Sequence, residues 1–218
     1  MDDPSAYLGA TWFLDCDHPR VRGFAERAAE GAATSIAVAQ QLFVAVRDGL
    51  RYNPYSARLD DPDNLRASTV LMLPGTWCVP KAVTLAAVAR ARNIPARLGF
   101  ADVKNHLSSE KLSKLMGTDL FRWHGYTELF VGNRWTKVSP AFNTELCARF
   151  GVQPLDFDGV HDALMHAFDG SGTRFMQYVN DRGRYSDVPY ELLVNDLKSH
   201  YSHMFSILED GQAGFTNP

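Results

Sequence analysis

Gly75-Thr-Trp-Cys-Val-Pro-Lys81, continuing as Ala-Val-Thr-Leu-Ala-Ala-Val-Ala-Arg-Ala91, turns a loop into a segment that is apolar nearly all round. That pattern predicts a central helix packed on more than one side, with Pro80 tolerated in its first turn. Its small alanines let neighbouring elements approach closely, and Asn93 and Pro95 end it. The turn delivers Cys78 to the helix start. There the unpaired backbone N–H groups and the positive end of the helix dipole favour a thiolate. A thiolate is a nucleophile, so the remaining sequence is read for a base, an orienting group and a substrate groove.

The 218 residues suffice for one sizeable core, and a single domain is expected. An apolar fraction of 45% and a charged fraction of 22% are those of an ordinary globular protein. A net charge of −3 implies no basic face, which argues against nucleic acid as a partner. No apolar run approaches the roughly 20 residues that span a bilayer, so no membrane partner is expected. The acidic Met-Asp-Asp-Pro-Ser start has no apolar h-region and does not read as a signal peptide. Cys16, Cys78 and Cys147 are odd in number and far apart, which fits a reducing cytoplasm better than a disulfide framework.

Working outward, residues 1–18 read as an ordered arm without regular structure. A short helix is expected over Val21 to Glu30 and a second one after Thr34 and Ser35, with Ile36, Ala39, Phe43, Val46 and Leu50 as its buried stripe. Residues 56–66 read as a surface loop. Downstream of the central helix, Ala96 to Ala101 reads as a strand and His106 to Met116 as a short surface helix. Then His124-Gly-Tyr-Thr-Glu-Leu-Phe-Val131, the turn Gly132-Asn133 and Arg134-Trp-Thr-Lys-Val138 form a β-hairpin. Gln177 to Pro189 reads as polar and turn-rich. A last helix is expected from near Pro189, with Tyr190, Val194, Leu197 and Tyr201 on one face, and then a frayed tail from Asp210.

His124, at the start of the hairpin, is the natural partner of Cys78, because thiol catalysis needs an imidazole as base or as half of an ion pair. Cys16 and Cys147 read only as small buried hydrophobes. Lys81, one turn beyond Cys78, reads as a solvated lysine. Asp158, His161, Asp162, His166 and Asp169 lie close in sequence, but His161 and His166 are five apart rather than at the i, i+4 spacing of a helical zinc pair. No metal and no cofactor is expected, and no Gly-rich phosphate loop is present.

Gly-x-x-Cys at a buried helix start, Asn93-Ile-Pro-Ala-Arg97, His124-x-x-x-Glu128 and a returning strand with Trp135 together resemble the transglutaminase-like superfamily over about residues 67–143. The resemblance implies an α+β, papain-like fold, with the cysteine helix packed on a small antiparallel sheet, and a Cys-His-Asp triad. Where the family has its aspartate this chain has Val138-Ser139-Pro140. A two-residue turn pairs Phe130 with Trp135, Glu128 with Lys137 and His124 with Ala141, so Ser139 lies diagonal to the histidine on its face. Serine accepts a hydrogen bond but does not stabilise an imidazolium as a carboxylate does. Two substitutes offer themselves. Asp102 ends the strand before the hairpin and, in the preferred reading, orients His124 in a chain order similar to that of the related Dieckmann cyclases. Asn143 shares the histidine's face if the strand continues.

The motif core at 67–143 is thus flanked by N-terminal helices over 20–50 and C-terminal loops and a helix over 150–210. The expected chemistry is attack of Cys78 on a peptide, amide or carrier-bound acyl substrate, with His124 as acid and base. The Cys78 amide would serve the oxyanion, and Trp77, Trp123 and Tyr126 would line the groove. Hydrolysis or transfer ranks first. A Dieckmann-type cyclisation and a non-catalytic binding module with a degenerate triad are the alternatives.

Overall fold

A computed structural model describes residues 3–105, 110–164 and 176–209. The helices are α1 (Pro19–Ala28), α2 (Ser35–Gly49), α3 (Ala67–Val70), α4 (Cys78–Ala91), α5 (Glu110–Met116), α6 (Thr144–Arg149), α7 (Tyr190–His200) and α8 (Ser202–Glu209). The strands are β1 (Arg51–Tyr52), β2 (Gly75–Thr76), β3 (Ala96–Asn105), β4 (Leu120–Val131), β5 (Arg134–Val138) and β6 (Met176–Tyr185). The first two make a small parallel pair, and the other four form an antiparallel sheet in the order β5-β4-β3-β6.

The helix expected at the centre is α4. Every residue from Cys78 through Arg90 is buried. One side of it receives α1, α2 and α3; the other receives the sheet, where Thr127 donates its hydroxyl to the Ala82 carbonyl at 2.9 Å. Arg90, buried at the far end, donates to the carbonyls of Ala96, Gly9 and Ser186 and so gathers three separate segments. Thr34 caps α2 as expected, accepting from the Ala37 amide.

The hairpin's turn and register stand where the pattern put them, while its first strand begins at Leu120 rather than at His124. Phe130 pairs with Trp135 and Glu128 with Lys137, and Gly132 and Asn133 adopt φ of 57° and 60°, the left-handed pair of a tight hairpin turn. Two expectations need correction. The segment read as turn-rich is an edge strand, β6, paired along β3. Its Gln177 to Asp181 side chains are exposed, so no buried alternation marked it. The loop over 56–66 contains short 3-10 turns and buries Ala57, Leu59 and Leu65 beside α4. Arg51-Tyr52, directly after α2, is β1. The start of the short surface helix and the tail from Asp210 lie wholly or partly outside the described residues.

Lys81 is not solvated but fully buried. Its Nζ donates to the Arg47 carbonyl at 2.8 Å and to the Leu50 carbonyl, the free acceptors at the C-terminal end of α2. Burial lowers its pKa to about 7, against the pull of Asp48. The unfolded chain then holds this proton more tightly than the folded one between about 7 and 10.5, so this group's contribution makes the fold more stable as pH rises through that window. Lys81→Met lacks this dependence. Urea unfolding at pH 7 and pH 9.5 should show the variant's deficit against the parent protein widening at the higher pH.

Candidate functional site

Cys78 begins α4 because Trp77, extended at φ −96° and ψ −176°, ends the approach from β2, and no side chain caps the first amides of the helix. The thiol is only 8% exposed. Burial pushes it up to about 11, although the amides of Gly125, Val79 and Cys78 itself work to lower it. The thiolate expected from the helix terminus is therefore corrected: desolvation outweighs the dipole, and the resting group is a thiol.

His124 comes to this helix start through its neighbour. A Cβ on Gly125 would lie 2.9 Å from the Cα of Val79, so only glycine lets β4 lie flat against the first turn of α4. Tyr52 completes the convergence. Burial raises its phenol well above the ordinary value, a nearby Cys78 thiolate would raise it further, and its ring meets Phe142 edge-on at 4.9 Å. Phe142 in turn lines a small apolar cavity with His124, Ser139, Ala141, Leu155 and Met176. The histidine is buried, and burial lowers its pKa to about 4. Thiol and imidazole are both neutral at rest.

Of the three candidates for the orienting group, Ser139 is the one at the ring. Its Oγ lies 3.4 Å from His124 Nε2. The serine is held by its own backbone, since its amide donates to the Ala163 carbonyl at 2.8 Å. Asp102 does not face the imidazole, although Ala101 next to it pairs with His124. Its Oδ1 accepts from Arg182 Nε at 2.6 Å and from the Trp123 amide at 3.1 Å, and its Oδ2 from Asn180 at 3.4 Å. Burial works to raise this carboxyl, but the Arg182 and Trp123 bonds hold it below the ordinary range. Asn143 also turns elsewhere, its Oδ1 accepting from the Tyr52 amide at 3.1 Å.

The aromatic residues divide. Trp77 stays beside Cys78 as the helix cap. Trp123 is not a groove residue: it is buried against Phe100 and Tyr185, with its indole Nε1 donating to Asp196 at 2.9 Å. Tyr126 is buried too, its ring flat on Gly99, where a Cβ would come within 2.2 Å of it. Reading the sequence did not find Tyr52 or Gly125. Two-residue β1 carries no periodic signal, and a glycine inside a strand announces a close approach without naming its partner. Among the described residues no group of three His, Cys, Asp or Glu side chains could hold a metal ion; His166 and Asp169 lie outside them. No described helix is long and apolar enough to cross a membrane.

With this geometry in place the sequence comparisons become informative. The family model of the transglutaminase-like superfamily matches residues 22–140, more than half of the chain. The chain belongs to the transglutaminase-like superfamily. The matched stretch holds Cys78, Asp102, His124 and Ser139, whereas Asn143, β6 and α7 lie beyond it. No curated protein matches the sequence. Among solved structures, the chain is similar to a candidate cysteine protease from Cytophaga hutchinsonii, with a TM-score of 0.49 and 15% identity over 85% of this chain. The match spans 55% of that protein's chain, and nothing about activity is drawn from it. The superfamily's papain-like fold is one that supports cysteine-dependent acyl transfer or hydrolysis in general.

A neutral, buried thiol has a measurable signature. Iodoacetamide labelling of Cys78 in the folded protein, followed by peptide mass, should climb with pH toward about 11. An inflection below the roughly 8.5 of a free thiol would show instead that the helix terminus wins over burial.

Proposed function

We propose that this chain is a cysteine-dependent acyltransferase or hydrolase acting on amide, peptide-type or thioester carbonyls. The observation that carries this reading is the meeting of the α4 start with the middle of β4, at Val79 and Gly125, which sets Cys78 beside the His124 strand. The neutral imidazole takes the Sγ proton as sulfur bonds to the carbonyl carbon. The resulting oxyanion is served by the uncapped amides at the N-terminus of α4. The imidazolium then gives its proton to the leaving amine, alcohol or thiol, which departs and leaves a thioester on Cys78. Water or an amine, deprotonated by the same imidazole, attacks that thioester and restores the thiol. Ser139 Oγ, on the Nε2 side, accepts from the ring while it is charged. A hydroxyl does this less well than a carboxylate, so the reading implies a slow enzyme unless the substrate supplies an activated carbonyl.

The cyclase alternative leaned on Asp102 as the orienting group, and Arg182 occupies that carboxylate. The binding-module alternative is favoured by one observation, the serine in place of a carboxylate at His124. Trapping separates it from the enzyme. Incubation with a p-nitrophenyl ester, a peptide anilide and an acyl thioester, each followed by intact mass, should give an acyl adduct that Cys78→Ala abolishes. His124→Ala should slow acylation by about 100-fold or more. Ser139→Ala removes a neutral hydrogen bond and should cost up to about tenfold. No adduct from any of the three substrates would leave the binding module standing.

The pH profile carries the sign of the histidine's environment. His124 is the working base only while unprotonated, and its pKa lies near 4 rather than 6.5. The acid limb of kcat/KM should therefore fall at about pH 4, with full rate persisting at pH 5.5. A limb near the ordinary histidine value would show that the ring is solvated in the working enzyme.

A further inference from the structure

Asp102, withdrawn from the imidazole, sits opposite the irregularity in the pairing of β3 with β4. Ala101 pairs with His124 and Val103 with Phe121, so two residues of β4, Arg122 and Trp123, oppose the single residue Asp102. This is a β-bulge, and it changes the phase of the strand. Phe121 and His124 are three residues apart and would face opposite ways in a regular strand. With the bulge, both lie on the face that carries Ala101, Val103, Tyr126 and Met176. The hairpin register sets His124 on the side of Ser139 and the cavity, and the bulge lets Trp123, the residue before it, turn into its own cluster while Phe121 returns to the histidine's face.

The bulge is strained, because Trp123 has φ 58°, a left-handed conformation disfavoured for a bulky side chain. It persists because the surroundings determine it from several directions. The Trp123 amide donates to Asp102 Oδ1 at 3.1 Å, and the indole donates to Asp196. Arg182 lies 4.9 Å from the centre of the indole ring while bridging Asp102 and Asp196 at 2.6 Å and 3.1 Å. Just upstream, the Tyr201 hydroxyl donates to the Leu120 carbonyl at 2.6 Å and accepts from the Arg122 amide at 2.9 Å. All of this apparatus, on β6 and α7, converges on the residues immediately before His124.

We propose that Asp102 is a positioning residue that acts through Trp123: by accepting from its amide it holds the left-handed bulge in the backbone immediately before His124 and thereby fixes the ring at the site. The proposal rests on His124 being the functional histidine. It assigns Asp102 a role at one remove from the ring, where a triad would have it in contact. The difference is testable because asparagine keeps the acceptor and loses the charge.

The experiment compares Asp102→Asn with Asp102→Ala by two readouts, the acylation rate of Cys78 and the His124 ring titration followed by NMR, with circular dichroism to verify folding. The NMR arm does not need activity, so it tests the positioning even if no acyl adduct forms in the parent protein, an outcome that would count against the functional reading alone. Expected is a buried, low-pKa His124 in the asparagine variant, with at least tenfold faster acylation than in the alanine variant, whose ring moves toward the ordinary value. Equal behaviour of the two variants, both impaired or both like the parent, overturns the proposal. Should Asp102→Ala fail to fold, Trp123→Gly against Trp123→Val supplies the comparison. Both lose the indole, but only glycine accepts the left-handed backbone freely. Glycine should retain the parent His124 titration and valine should not; identical titrations would sink the idea.

Discussion

Everything at the site depends on how closely the middle of β4 lies against the start of α4. The contact is one of backbones, Gly125 on Val79, with no room for a methyl group between them. It is a hard steric limit and not a graded attraction, which makes it a good way to fix two reactive groups carried by elements distant in sequence. The rest of the molecule maintains it. The first three helices hold α4 from behind, Lys81 ties its first turn to the carbonyls at the end of α2, and the hydroxyl of Thr127 fastens the strand one step further along.

Burial then decides the chemistry of the groups so placed. A cysteine at a helix start and a histidine beside it suggest an ion pair, but neither is exposed enough to carry charge cheaply. The charges the interior does accept are those with several partners. Glu128 takes Arg97 and Arg184 at 2.7 Å and 3.0 Å, and Asp102 takes Arg182. Glu128 ties β4 to β3 and to the edge strand β6, and Asp102 ties β3 to β6. Leaving one partner alone there would cost far more than the pair contributes, so they specify the arrangement more than they stabilise it.

Much of this was legible in the residues. An all-round apolar run named the central helix, the Gly-Asn turn fixed the hairpin register, and that register led by arithmetic to Ser139 on the histidine's face, where it lies. The strand β6 was not legible, because an edge strand with its side chains in water has no buried period to read. Lys81 was misread for the converse reason: a charge inside an apolar helix looks solvated until a neighbouring helix end is found to need a donor. Asp102 could be placed beside the histidine strand but not turned the right way. Ala101 rather than Asp102 pairs with the histidine, so alternation turns Asp102 to the other face, and nothing in a linear pattern reports a tryptophan with positive φ.

The helix that carries Cys78 has no side facing water over its first thirteen residues, Cys78 to Arg90. It therefore has no neutral positions at which sequence can drift, no face on which a regulator can bind and no direction in which it can turn without displacing a packed neighbour. In the proposed enzyme, adaptation to one acyl group or another would fall to the segments around its end: the arm of β1, the loop after β5 and the outer strand β6. The proposed nucleophile belongs to the least changeable part of the molecule, and the parts around it remain free to change.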